Sequence, residues 1–152
     1  MKILLVEDDT GKREDIQSQV KLSLSQINEK CEITEKESLR SAWRTLIAEK
    51  FDLLLLDMSL PSSDVSDDSA PNEPESFAGR EILDQMRLRS IHTPVLVVTQ
   101  YRTFERGTIS LEQLVAGFEA KYAPFFRGYI YYNASSDDWR RQLNAHLQEI
   151  IK

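Results

Sequence analysis

One cysteine, Cys31, in a chain of 152 residues excludes an intrachain disulfide and any metal site built from several thiolates. A lone cysteine of this kind serves as a small apolar side chain, buried or half-buried. No apolar run is long enough to cross a bilayer, so no membrane attachment is expected. The opening stretch runs into Glu7-Asp8-Asp9 after only four apolar residues, which is not a secretory leader. A cytoplasmic protein is therefore expected. Basic residues are the minority, 19 against 25 acidic ones, for a net charge of −6. That balance argues against non-specific nucleic-acid binding, and neither a helix-turn-helix nor a basic face is present.

The charge is unevenly spread. Residues 62–78 hold Asp64, Asp67, Asp68, Glu73 and Glu75 without a lysine or arginine, which leaves the rest of the chain near neutrality. With few apolar residues and Pro71 and Pro74 inside it, this segment cannot fold by itself and reads as a solvated acidic insertion.

The remaining chain alternates strands and helices. Lys2–Val6 is a short apolar strand. Ile16, Val20, Leu24 and Ile27 recur at helical spacing and predict an amphipathic helix over about 11–28, capped by Asp9 or Thr10. Cys31–Thr34 is a weak strand. Ser38 opens a second helix with the stripe Leu39, Ala42, Trp43, Leu46 and Ile47. Leu53–Leu56 is an apolar run suited to a strand covered on both faces. A helix over about 80–90 buries Ile82, Leu83 and Met86. Pro94–Thr99 is another buried strand, and Ser110 opens a helix facing inward with Leu111, Leu114, Val115 and Phe118. Gly128–Tyr132 is the last strand. Ser135 and Asp138 suggest a capping box for a final helix lined by Trp139, Leu143, Leu147 and Ile150.

Five strand–helix repeats predict an α/β fold, a doubly wound five-stranded parallel sheet with helices on both faces. Right-handed crossovers then bring the C-terminal ends of the first and third strands together. Asp57, which ends the leucine run, enters the crevice where such sheets bind ligands. Alone, Asp57 followed by Pro61 also suits a simple turn, and Glu7 with Asp8 suits a solvated loop. Together the three carboxylates suit a hard, oxygen-ligated ion such as Mg²⁺.

Lys2–Asp8, Leu53–Pro61, Pro94–Thr99 and Gly128–Tyr132, in this order, resemble the response-regulator receiver domain of the chemotaxis-regulator (CheY-like) type, with its flavodoxin-like fold. The resemblance covers nearly the whole chain, residues 1–152, as a single domain without an output domain. It implies that Glu7 and Asp8 are the acidic metal-binding pair, Asp57 the phospho-acceptor, and the Ser59 backbone carbonyl a further metal ligand. It also implies that Thr99 bonds the phosphoryl group and that Tyr129 is the aromatic switch behind it. Mg²⁺ is the implied cofactor, and a histidine kinase or phosphotransfer protein the implied phosphodonor. The expected function is that of a stand-alone receiver in a two-component phosphorelay. Beyond self-catalysed phosphoryl transfer to Asp57 and hydrolysis from it, no enzymatic activity is implied. A downstream partner or a homodimer would use the face made by the fourth helix, fifth strand and fifth helix.

Three features depart from the family pattern. The family's lysine at the end of the last strand is replaced by Tyr132, followed by Asn133, and the basic residues flanking that position are Arg127 and Arg140. A tyrosine cannot replace a cation there, which leaves open an atypical receiver that binds partners without phosphorylation. Arg102 is another cation near Thr99. The acidic insertion separates Pro61 from the glycine expected soon after it, Gly79. An extension over about 101–127 brings Tyr101, Phe104, Tyr122, Phe125 and Phe126, as a partner surface or as extra core. A Mg²⁺-dependent phosphohydrolase is disfavoured, because that chemistry wants a second aspartate where Ser59 stands.

Overall fold

The computed structural model describes residues 1–60, 78–104 and 107–151. The acidic insertion expected over 62–78 lies outside them, apart from Ala78, where a helix begins. The chain runs β1 (Lys2–Val6), α1 (Thr10–Ser25), β2 (Glu32–Lys36), α2 (Leu39–Ala48), β3 (Leu53–Leu56), α3 (Ala78–Leu88) and β4 (Val95–Thr99). It continues through β5 (Thr103–Phe104), β6 (Ile109–Ser110), α4 (Leu111–Lys121), β7 (Phe126–Tyr131) and α5 (Asp138–Ile151). Five strands form one sheet in the order β2-β1-β3-β4-β7, every pair parallel. This is the doubly wound, flavodoxin-like fold expected from the repeats.

Strand alternation sorts the side chains into two cores. Ile3, Leu5, Leu53, Leu55, Leu96 and Val98 meet Ile16, Val20 and Leu24 of α1 and Trp139, Leu143 and Leu147 of α5. Leu4, Val6, Leu54, Leu56, Val95 and Val97 meet α2, α3 and α4 from the other side. The leucines of β3 are buried on both faces, the reason its sequence is continuous rather than alternating. Cys31 is half-buried against the first of these cores, as its small apolar character suggested. No helix among the described residues is long and apolar enough to cross a membrane.

The structure changes three local expectations and decides a fourth point left open. β5 and β6 form an antiparallel hairpin that the sequence pattern does not signal, because two-residue strands carry no periodicity. The final helix starts at Asp138 rather than from a Ser135 cap. The Asn133 side chain takes the Ser135 amide at 2.9 Å, and the Ser136 hydroxyl accepts from the Asp138 amide at 3.1 Å. The last strand begins at Phe126, two residues early, with a register shift between Val95 and Leu96 and Gly128 at φ +133°. Phe104, Tyr122, Phe125 and Phe126 are buried with Phe118, as core. Of the aromatics of the 101–127 extension, only Tyr101 is exposed, at 43%.

Candidate functional site

The register between β1 and β3 builds the site. Val6 pairs with Leu56, and the parallel ladder continues one step further, the Asp57 amide donating to Val6 O at 3.1 Å. The next residues, Glu7 and Asp57, therefore emerge side by side at the C-terminal edge of the sheet. Alternation places them with Ile3, Leu5, Leu53 and Leu55, on the face covered by α1 and α5. Glu7, half-buried Asp8 and Asp57 each offer a carboxylate oxygen, and these lie within 4.8 Å of one another. Glu7 is 1% exposed and Asp57 2%.

Buried carboxylates need partners, since uncompensated burial costs several kcal/mol per charge. The Asp57 oxygens and Glu7 Oε1 are shielded from solvent and depend on charged partners for compensation. Glu7 Oε2 accepts from the Asp9 amide at 3.2 Å. Burial, then the charge of Asp57, raise the Glu7 carboxyl to about 8. Burial also raises the Asp57 carboxyl, against the pull of Lys12.

That lysine is what the sequence reading missed. Lys12 is 2% exposed. Its ammonium forms ion pairs with Glu7 Oε1 and, at 3.4 Å, with Asp57 Oδ1. It also donates to Val98 O at 2.9 Å and to Gln100 Oε1 at 2.8 Å. Asp9 caps α1 by accepting the Lys12 amide at 3.0 Å, so the cap and the buried cation share one residue. The signal was present: stepping back by four from Leu24, Val20 and Ile16 reaches Lys12, on the same buried face of the helix. The residues of the last strand and its neighbours carry no sign of a cation that arrives from α1.

The other expected positions lie around this cluster. Thr99 is fully buried at the end of β4, its hydroxyl accepting from the Tyr101 amide at 3.1 Å. Ser59 is half-buried, two residues past Asp57. Tyr129 is half-buried and packs on the α2–α3–α4 side of the sheet, away from Lys12. Arg102 does not join the acids; its guanidinium stacks over Tyr131, 4.0 Å from the ring centroid. Tyr132 is 8% exposed, its ring 5.0 Å from that of Trp139, and its hydroxyl donates to Asp15 Oδ2 at 2.5 Å. Gly79 lies against the backbone that follows Asp57, its amide donating to Met58 O at 3.2 Å. A Cβ there would stand 2.7 Å from the Asp57 carbonyl oxygen and 2.9 Å from Met58 Sδ.

No family model matches the chain. It is 25% identical to the Detocs response regulatory protein DtcB of Enterobacter cloacae, over 99% of this chain and 100% of that protein. To the DtcB of Vibrio alginolyticus it is 33% identical over 104 residues, 68% of each chain. The fold matches the crystal structure of the signal receiver domain of a LuxO repressor protein from Vibrio parahaemolyticus. The TM-score is 0.64 at 21% identity, covering 99% of this chain and 92% of that one. With the ordered motifs, the parallel sheet and the carboxylates at its C-terminal edge, these likenesses establish that the chain belongs to the response-regulator receiver family of two-component signalling.

Proposed function

We propose that this receiver accepts a phosphoryl group on Asp57 in a Mg²⁺-dependent reaction and signals through its α4–β7–α5 face. The observation that carries this reading is the state of the acids. Asp57 is buried beside Glu7 and Asp8, three carboxyl groups converging within 4.8 Å, with the Lys12 ammonium 3.4 Å from Asp57 Oδ1. A carboxylate kept this way is ill-suited to a purely structural role and well-suited to a nucleophile. The oxygen-only donor set fits Mg²⁺, with Glu7, Asp8 and Asp57, together with the Ser59 carbonyl, as the residues that would hold it. Bound there, the ion would offset charge on the transferring group. Geometry supports the same reading, since three carboxyl groups converge within 4.8 Å of one another beside one ammonium.

In the reaction an Asp57 oxygen forms a bond to phosphorus while the donor's bond to phosphorus breaks and its leaving group departs with the electron pair. The product is an acyl phosphate. Thr99, at the end of the neighbouring β4, would bond the phosphoryl group once its hydroxyl turns from the Tyr101 amide. Tyr129, on the α4 side, would follow as the switch. A histidine kinase or phosphotransfer protein is the donor class this chemistry calls for, and a cytoplasmic site of action accompanies it.

The test is intact-mass measurement after incubation with acetyl phosphate and Mg²⁺, with Asp57→Asn as control. One phosphoryl adduct, absent from the control, is expected. No adduct in protein that binds Mg²⁺ would overturn phosphorylation. It would favour the reading that Tyr132 motivates, a receiver that binds its partner unmodified.

A further inference from the structure

We propose that Lys12, reaching the site from α1, is the cation that pairs with the phosphoryl group on Asp57, with Tyr132 as its buttress. This rests on the phospho-acceptor reading above and goes beyond it by naming the residue that meets the incoming charge.

An acyl phosphate on Asp57 adds negative charge to a pocket that already holds Glu7 and Asp8. A buried anion of this kind needs a fixed positive partner nearby. Tyr132, at the tip of the last strand, supplies none. Its phenol is turned away to Asp15 and its ring lies against Trp139. Lys12 supplies the charge from α1, 3.4 Å from Asp57 Oδ1.

Two neutral acceptors, Val98 O and Gln100 Oε1, hold the ammonium independently of the carboxylates. Its position therefore does not depend on the charge of Asp57, which changes on phosphorylation. The remaining donor capacity faces the acids. Behind the ammonium stands the Tyr132 ring, with its centroid 5.9 Å away. The Tyr132 hydroxyl ties that ring to Asp15, one turn further along the helix that carries Lys12. A lysine at Tyr132 would bring a second ammonium toward the same pocket. The tyrosine fills that volume and leaves the cation to α1.

The experiment compares phosphorylation rates with acetyl phosphate and Mg²⁺ for wild type, Lys12→Met and the double variant Lys12→Met/Tyr132→Lys, with Mg²⁺ affinity titrated in each. Transfer joins Asp57 to phosphorus as the acetate–phosphorus bond breaks and acetate leaves with the electron pair. Lys12→Met is expected to slow transfer about a hundredfold while Mg²⁺ binds at least as tightly. A merely structural lysine would weaken both. The double variant, its cation restored from β7, is expected to recover most of the rate. If wild type is phosphorylated and Lys12→Met keeps pace, the role of Lys12 is overturned and the phospho-acceptor reading stands. If wild type takes no adduct, both fall. If Lys12→Met does not fold, the double variant decides: recovered transfer supports the proposal, and a folded but inert protein overturns it.

Discussion

Single residues at this site are constrained by neighbours distant in sequence. Gly79 is the sharpest case, since a methyl group there collides with backbone at Asp57 and with the Met58 sulfur. Gly79→Ala is expected to cost about 1–3 kcal/mol in urea unfolding and to displace Asp57. Normal stability in that variant would contradict the packing described. Tyr132→Phe removes the hydrogen bond to the Asp15 carboxylate. The loss should be about 1.5–3 kcal/mol by the same measurement, with the fold retained.

At the scale of elements, α1 both covers the sheet and delivers the cation. Asp9→Ala removes its N-cap, for an expected loss of about 1 kcal/mol read as a lower thermal midpoint. The helix α4 and the turn after it are held by aromatic packing. Tyr122 and Phe125 lie inside, the Tyr122 hydroxyl donating to Asp84 of α3. Phe125→Ala should therefore cost about 3–5 kcal/mol, far more than an exposed interface residue would. On α5, burial lowers the pKa of half-buried His146, with Glu149 opposing it weakly. A histidine depressed in the folded state contributes stability above the unfolded pKa and loses it as pH falls through the folded one. The stability difference between wild type and His146→Gln, measured against pH, should accordingly shrink or reverse below about 6.5. A difference independent of pH would refute that assignment.

For the whole molecule, the acids and Lys12 form one electrostatic cluster at the C-terminal edge of the sheet. An ion that binds only the folded chain stabilises it by mass action. Mg²⁺ at a hundred times its dissociation constant should add about 2.7 kcal/mol, seen as a raised midpoint in a thermal scan. The increment should vanish in Glu7→Ala, and a gain that persists there would place the ion elsewhere. Of the aromatics of the extension, Tyr101 in the loop after β4 is the exposed one, so the others contribute core and not contact surface.

Local pattern by itself determined the strands of the five-stranded sheet, the helices, their order and the emergence of Asp57 and Glu7 at strand ends, because burial on one stripe or on both faces leaves a period in the sequence. The same stripe on α1 passes through Lys12, yet nothing local says that a lysine on a buried face has found two carboxylates and two neutral acceptors. The inward packing of Phe125 and Phe126, the pairing of β5 with β6 and the turning of Tyr132 toward Asp15 were likewise decided by tertiary structure. Each depends on which distant groups share a volume, and a buried charge or ring acquires its meaning from the partners that surround it.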